Sequence, residues 1–350
     1  MKKEVTSVTG MAPADSLGII LPHEHVFINL MNQFKEPVDQ EKQALSRASI
    51  SLSNYGFLRR NPYAVRENLV LDDLDLAVEE LKWFSGLGGQ TVVDCTSIGI
   101  GRSPGMLRAA AQNSGVHIVA GCGYYTNDTH PADMGKRPVE EIADEMERDL
   151  TIGIDDTGVR AGVIGEIGTG DPIHPDELKN LRAAAEAHKR TGAPLQIHTY
   201  PWGKTGIIAA DLLINLGVDP GRIVICHIDV AFDYKYLRAL LERGVYVEFD
   251  NFGKEFYIDR EDRIGFTGGV FACDLERVRA IRQLLEWGYE RRILITNDIC
   301  LKQMLRHYGG WGYAHILRHI VPMMEDEGIP HRNIDLLIRN NPAAWLCGEE

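Results

Sequence analysis

The sequence predicts an α/β protein, a (β/α)8 TIM barrel with long βα loops and extra helices at its C-terminal end. Three observations predict it. Eight short, β-branched apolar runs are spread along the 350 residues, and longer amphipathic stretches alternate with them. Histidines and carboxylates stand at the C-terminal end of several of these runs. Near-continuous apolar runs suit parallel strands covered on both faces. Regular strand–helix alternation implies a parallel sheet, and eight such units favour a closed barrel over an open sheet.

The strand candidates are residues 17–23, 90–95, 116–122, 159–166, 194–198, 222–227, 244–250 and 292–298. The first helix candidate, 72–83, carries Leu74, Leu76, Ala77, Leu81 and Trp83 at helical spacing. Further helices are expected at 104–112, 139–150, 176–190, 206–216, 234–241 and 275–287. Ser103 before Pro104 reads as an N-cap with proline at the first helical position, and Gly192 and Gly244 read as C-caps. Two segments break the rhythm, residues 26–71 after the first strand and 251–270 after the seventh. Long βα loops in barrels carry function, because they surround the strand C-termini. The tail from Leu301 to Glu350 reads as two or three more helices. With no linker and no low-complexity tract, residues 1–350 are expected to form one domain.

Composition excludes several classes. A net charge of −13 without a dense Lys/Arg run argues against nucleic acid as a partner. No window of about 18 uncharged apolar residues occurs, so no membrane partner is expected. Lys2 and Lys3 are not followed by an apolar stretch, which argues against a signal peptide. The six cysteines form no C-x-x-C pair, and Cys95, Cys122 and Cys226 lie in or beside apolar runs. Such cysteines act as small buried hydrophobes in a reducing compartment, so a cytoplasmic location is expected.

The chemistry begins at His23-Glu24-His25. Two histidines two residues apart on a strand point the same way, and neutral imidazoles bind Zn2+ well. Alone, the motif is matched better by a surface turn with two solvated histidines. It is not alone. Glu166 ends the fourth apolar run, His198 the fifth, His227 the sixth and Asp298 the eighth. In a closed barrel these ends meet at one mouth. Six metal-competent side chains converging there point to an active site, because unpaired buried charge is costly.

These residues resemble the binuclear metal centre of the amidohydrolase superfamily. The stretches Leu-Pro-His-Glu-His, Val-Ile-Gly-Glu-Ile-Gly-Thr, Tyr-Gly-Gly-Trp-Gly-Tyr at 308–313 and Asn340-Asn341-Pro342 narrow the resemblance to phosphotriesterase-related proteins, over nearly the whole chain. The resemblance implies two divalent metal ions, with zinc expected. His23, His25 and Asp298 would hold the more buried ion, His198 and His227 the more exposed one, and Glu166 would bridge them. The best-known phosphotriesterases carry a carboxylated lysine where this chain has Glu166, which makes phosphotriesters a side reaction rather than the natural substrate. The implied reaction is hydrolysis by a hydroxide bridging the ions, with Asp298 as the catalytic proton carrier. A homodimer is also implied.

The substrate is less legible. Tyr124 and Tyr125 follow the third strand, and a tyrosine there resembles the one bordering the metal site in lactonase-like relatives. Lys254 and Lys302, each four residues past a strand-end aspartate, are candidate binders of an anionic small molecule such as a phosphorylated sugar lactone, with Arg260 and Arg263 nearby. Phe252, Phe256, Tyr257 and Trp311 would instead suit an apolar pocket. The reading ranks a lactone or carboxylic ester first and an N-acyl amide second. A non-catalytic metal- or ligand-binding barrel is the alternative of a different class, opposed by the complete ligand set.

Overall fold

The computed structural model describes residues 4–263 and 268–348. Part of the 251–270 loop, numbers 264–267, lies outside the described residues, as do 1–3 and 349–350. Each expected strand forms: β1 (Ile19–Glu24), β2 (Gly89–Asp94), β3 (His117–Cys122), β4 (Val163–Ile167), β5 (Leu195–Ile197), β6 (Ile223–Ile225), β7 (Tyr246–Phe249) and β8 (Ile293–Ile295). They pair in parallel, each with its neighbour in sequence. The helices are α1 (Leu74–Ser85), α2 (Pro104–Ser114), α3 (Val139–Thr151), α4 (Pro175–Thr191), α5 (Gly206–Asn215), α6 (Tyr234–Leu241) and α7 (Asp274–Glu286). The molecule is thus a (β/α)8 barrel with helices around the sheet.

Alternation along the strands sorts the core into two layers. Ile20, Val93, Val119, Val163, Val224, Tyr246 and Leu294 pack together inside the barrel. Their neighbours Ile19, Leu21, Val92, Ile118, Ile223, Ile225 and Ile293 pack outward under the helices. Trp345, fully buried, joins the inner cluster with Val5 and Ala12. The C-terminal helix Asn341–Cys347 and the hairpin Glu4–Ser7/Gly10–Pro13 therefore plug the end of the barrel opposite the site. Asn341 of the Asn-Asn-Pro motif donates through Nδ2 to the carbonyls of Glu290 and Ile293, both 2.8 Å away, tying that plug to β8.

Closure between β8 and β1 depends on side chains. The Thr296 hydroxyl and the Asp298 amide both donate to the His23 carbonyl, at 3.0 and 3.2 Å. Glu24, buried between the two histidines, accepts from Thr296 Oγ1 (2.6 Å) and from the amides of Asn297 (2.9 Å) and Ile299 (2.8 Å).

Some local expectations are corrected. Ser103 stands at the start of α2 without a capping side-chain bond, so Pro104 alone marks that start. Gly192 caps α4 in the left-handed conformation (φ 73°), as expected. By contrast, α6 ends at Leu241 with Glu242 as its cap, and Gly244 (φ 81°) turns the chain two residues later. The tail forms two helical stretches, Ile316–Ile320 running into Val321–Asp326, and His331–Asp335 running through Leu336–Asn340 into Asn341–Cys347. The segments Ile316–Ile320 and Leu336–Asn340 are wider π turns.

Candidate metal centre

The mouth of the barrel gathers all six residues singled out at the strand ends, each at most 5% exposed. Two lobes share Glu166. On one side, His25 Nε2 lies 3.4 Å from Glu166 Oε1 and 3.2 Å from Asp298 Oδ1, and His23 Nε2 lies 3.6 Å from Glu166 Oε2 and 3.8 Å from Asp298 Oδ1. On the other, Glu166 Oε2 lies 3.1 Å from His198 Nδ1 and 3.4 Å from His227 Nε2. Those two ring nitrogens face each other at 2.8 Å.

The donors fit a pair of metal ions. His23 Nε2 and Asp298 Oδ1 are buried and make no hydrogen bond, although both point at the cluster. Buried polar atoms are otherwise paired, and a coordinated ion satisfies such atoms. The sets His23–His25–Glu166 and Glu166–His198–His227 each bring three ligand atoms within 4.8 Å of one another. Glu166 belongs to both, as a bridging carboxylate must.

Each outer partner fixes a ring. His23 Nδ1 lies 3.0 Å from Glu248 Oε2, His25 Nδ1 2.9 Å from Thr96 Oγ1, and His227 Nδ1 3.1 Å from Asp250 Oδ1. In the neutral rings these contacts would hold the Nδ1 proton outward and turn the Nε2 lone pair to the cluster, as metal binding needs. Asp250 also accepts from the His227 amide (2.8 Å). Below His23, Gln196 bridges Cys95 Sγ (2.6 Å) and Glu248 Oε2 (2.9 Å), a polar layer inside the barrel. None of these partners was expected from the sequence. A signal for two was available: in Tyr-Val-Glu-Phe-Asp the carboxylates of Glu248 and Asp250 sit two apart, on one face of a strand.

Backbone conformation aims the ligands. His227 (φ 60°) and Asp298 (φ 49°) both adopt the left-handed conformation, an uncommon one in which His and Asp are enriched. Glycines let β4 carry Glu166 inward. A Cβ on Gly121 would collide with the Gly165 carbonyl, and one on Gly165 with the Gln196 carbonyl. This is the physical content of Val-Ile-Gly-Glu.

The electrostatics are those of a tightly coupled, buried imidazole–carboxylate cluster. Burial pushes the Glu166 carboxyl up, but His23, His198 and His227 outweigh it and hold it well below the usual range. Burial likewise raises Asp298, and Lys254 with the neighbouring histidines reverses that. Burial lowers His25, yet Asp298 and Glu166 push it up to about 10. Asp250 and Glu166 raise His227 in the same way, while burial and the neighbouring His227 lower His198.

The substrate-facing candidates separate. A cavity of about 30 Å3 beside the cluster is lined by Ile28, Leu30, Tyr63, Tyr125, Lys254 and Phe271 among others. Tyr125 packs edge-on to His198 with 4.7 Å between ring centres. Lys254, 2% exposed, forms an ion pair with Asp298 Oδ2. Tyr124 does not line this cavity, since its hydroxyl bonds Glu145 (2.8 Å) and Arg137 (2.5 Å). Lys302 also lies elsewhere, with Nζ 3.9 Å from Glu67 and over the Tyr308 ring. The turn at Lys302–Met304 carries it away from the mouth. Arg260 and Arg263 are exposed. Gln33, Tyr63, Asn251 and Cys300 line the cavity without having been singled out, because loop residues follow no periodicity.

Comparison with known proteins agrees with this geometry. The model of the phosphotriesterase family matches residues 3–346. An N-acetyltaurine hydrolase from Danio rerio is 36% identical over 349 residues, covering 99% of this chain and 98% of that protein. A resiniferatoxin-binding protein from Rhodobacter sphaeroides superposes with a TM-score of 0.94 at 35% identity, covering 98% of this chain and 94% of that one. A variant of a phosphotriesterase-like lactonase from Deinococcus radiodurans gives 0.76 at 28% identity, covering 98% and 99%.

Proposed function

Because this chain belongs to the phosphotriesterase family, we propose that it is a zinc-dependent hydrolase of small N-acyl amides, with a short acyl group as in N-acetyltaurine. The observation that carries the reading is the buried Lys254–Asp298 pair at the edge of the imidazole–carboxylate cluster. Amide hydrolysis differs from ester or lactone hydrolysis in what the leaving atom needs. An amine leaves only after its nitrogen is protonated, so the site must carry a proton from the attacking water to that nitrogen.

The imidazole-rich donor set suits zinc. His23, His25 and Asp298 would hold one ion, His198 and His227 the other, with Glu166 shared. When bound, such ions supply Lewis-acid polarisation of the carbonyl and a water acidified enough to attack at neutral pH. The protein's own groups do the rest. Lys254 Nζ pairs with Asp298 Oδ2, which leaves Oδ1 directed at the cluster and keeps the carboxylate ionised, with a proton affinity below the usual carboxylate range. The phenol of Tyr125 stays neutral, because burial and Glu166 raise it well above its ordinary value, so it can donate a hydrogen bond to a substrate oxygen. Ile28, Leu30, Tyr63 and Phe271 provide compact apolar walls that suit an acetyl-sized group. Names borne by relatives 36% identical over nearly full length support the amide over the lactone.

A second reading, lactone or carboxylic-ester hydrolysis, is favoured by the likeness to the Deinococcus lactonase variant. One experiment separates the two. The zinc-loaded protein is assayed for metal content and for hydrolysis of N-acetyltaurine, other N-acetyl amino acids, and γ- and δ-lactones with and without a 5-phosphate. Turnover of N-acyl amides supports the proposal. Turnover of lactones alone replaces it with the second reading. Bound metal with no turnover anywhere in the panel argues for a binding protein.

A further inference from the structure

A second cavity, of about 180 Å3, lies between the loops after β7 and β8. It shares no lining residue with the cavity at the metal centre, and it is the larger of the two. Its walls include the rings of Tyr55, Phe252, Phe256 and Trp311. Trp311 is 51% exposed and stacks on His315 with 13° between planes and 5.4 Å between ring centres. A tryptophan this exposed, on a ring-lined hollow, is a ready contact surface for a ligand.

Two buried polar atoms on the lining residues lack partners. Asn297 is 1% exposed, and its amide nitrogen donates to Glu24 (2.8 Å), which leaves Oδ1 without a hydrogen bond. His315 is 3% exposed, its Nε2 lies 2.8 Å from Asp274 Oδ2, and its Nδ1 has no hydrogen-bond partner. Native proteins rarely leave such atoms unpaired. Asn297 Oδ1 calls for a donor and His315 Nδ1 for a polar partner, and a hydroxyl can serve either. Arg59, exposed at the rim, has no ion-pair partner among the described residues and offers a guanidinium for a carboxylate.

We propose that this cavity is a second binding site, separate from the metal centre, for a hydroxylated aromatic acid. The size agrees: an apolar cavity of about 150 Å3 accommodates a benzene ring. The ring would lie among the aromatic walls, its hydroxyl would bond Asn297 Oδ1 or His315 Nδ1, and its carboxylate would reach Arg59.

The test is calorimetric titration of the metal-loaded full-length protein with 4-hydroxyphenylacetate, phenylacetate and 4-hydroxyphenylethanol. The hydroxy acid is expected to bind with a Kd below about 1 mM, and loss of either the hydroxyl or the carboxylate to weaken binding about tenfold. Arg59→Ala is expected to weaken the two acids and leave the neutral alcohol unchanged, while Trp311→Ala weakens all three. Both positions are exposed, so the variants should fold, and neither lines the metal-centre cavity, so activity there should be retained. No binding up to about 10 mM, which lies beyond any specific affinity for so small a site, would overturn the proposal. So would affinities indifferent to both substitutions, or displacement of the aromatic acid by a substrate of the metal centre.

Discussion

At the scale of single residues, the site is governed by what each ligand's far atom touches. His23 presents Nε2 to the cluster because Glu248, fully buried, takes Nδ1. Glu248→Gln keeps the shape but weakens that acceptor, and is expected to lower metal affinity by about 10–100-fold, the usual effect of losing such a partner. Competition with a chromophoric chelator measures it, and an unchanged affinity would remove Glu248 from the positioning role. Asp298→Asn tests a different property. The amide keeps one oxygen for a metal but cannot accept a proton, and it loses the charge that pairs with Lys254. Turnover is expected to fall by at least about a hundredfold with at least one equivalent of metal retained. Retained metal with full turnover would show that the proton moves elsewhere.

At the scale of elements, the strands were legible because buried parallel strands write themselves as apolar runs, and five of their ends were legible because His, Asp or Glu there breaks the run. Contacts made across the barrel were not legible. Glu24 stands between two histidines in the sequence, yet its carboxylate closes β1 against the turn after β8 through Thr296, Asn297 and Ile299. Lys302 illustrates the converse: four residues past Asp298 is a fixed distance but not a direction, and one tight turn sends it to Glu67. The hairpin at residues 4–13 escaped notice because strands of four residues carry too little pattern. Since Glu24 accepts several hydrogen bonds where no water reaches, Glu24→Ala is expected to cost about 2–4 kcal/mol. The apparent Tm should fall by several degrees, and metal should be lost as the β1–β8 seam that aligns His23, His25 and Asp298 loosens. A gentler probe is Gly121→Ala, whose Cβ meets the Gly165 carbonyl. It should push β3 from β4 and reduce metal content through Glu166 without touching a ligand.

At the scale of the whole molecule, the metal centre sets the pH response. Every ligand nitrogen must be neutral to bind a metal, whereas in the metal-free protein His25 is held at about 10 and His227 well above its ordinary value by the surrounding carboxylates. At pH 8 His25 therefore carries its proton before loading, and His227 is displaced in the same direction. Glu166 and Asp298 are already ionised, being held below the usual carboxylate range, and contribute none. The sign follows. Loading must expel protons from the imidazoles, so metal affinity rises with pH until the raised histidines have lost their protons, and falls on acidification well before the carboxylates titrate. Titrating zinc into the metal-free protein at pH 8, in buffers of different ionisation enthalpy, should give an observed heat that varies with the buffer in the sense of proton release from the protein. Stability moves with it, because an ion bound only by the folded chain stabilises that chain by mass action. A chelator should therefore lower the apparent Tm, more steeply at pH 8 than at pH 6, where the histidine–carboxylate ion pairs of the metal-free protein replace more of what the metal supplied. Heats identical in all buffers would mean that the imidazoles are neutral before loading, and that the carboxylates do not hold protons in the metal's place.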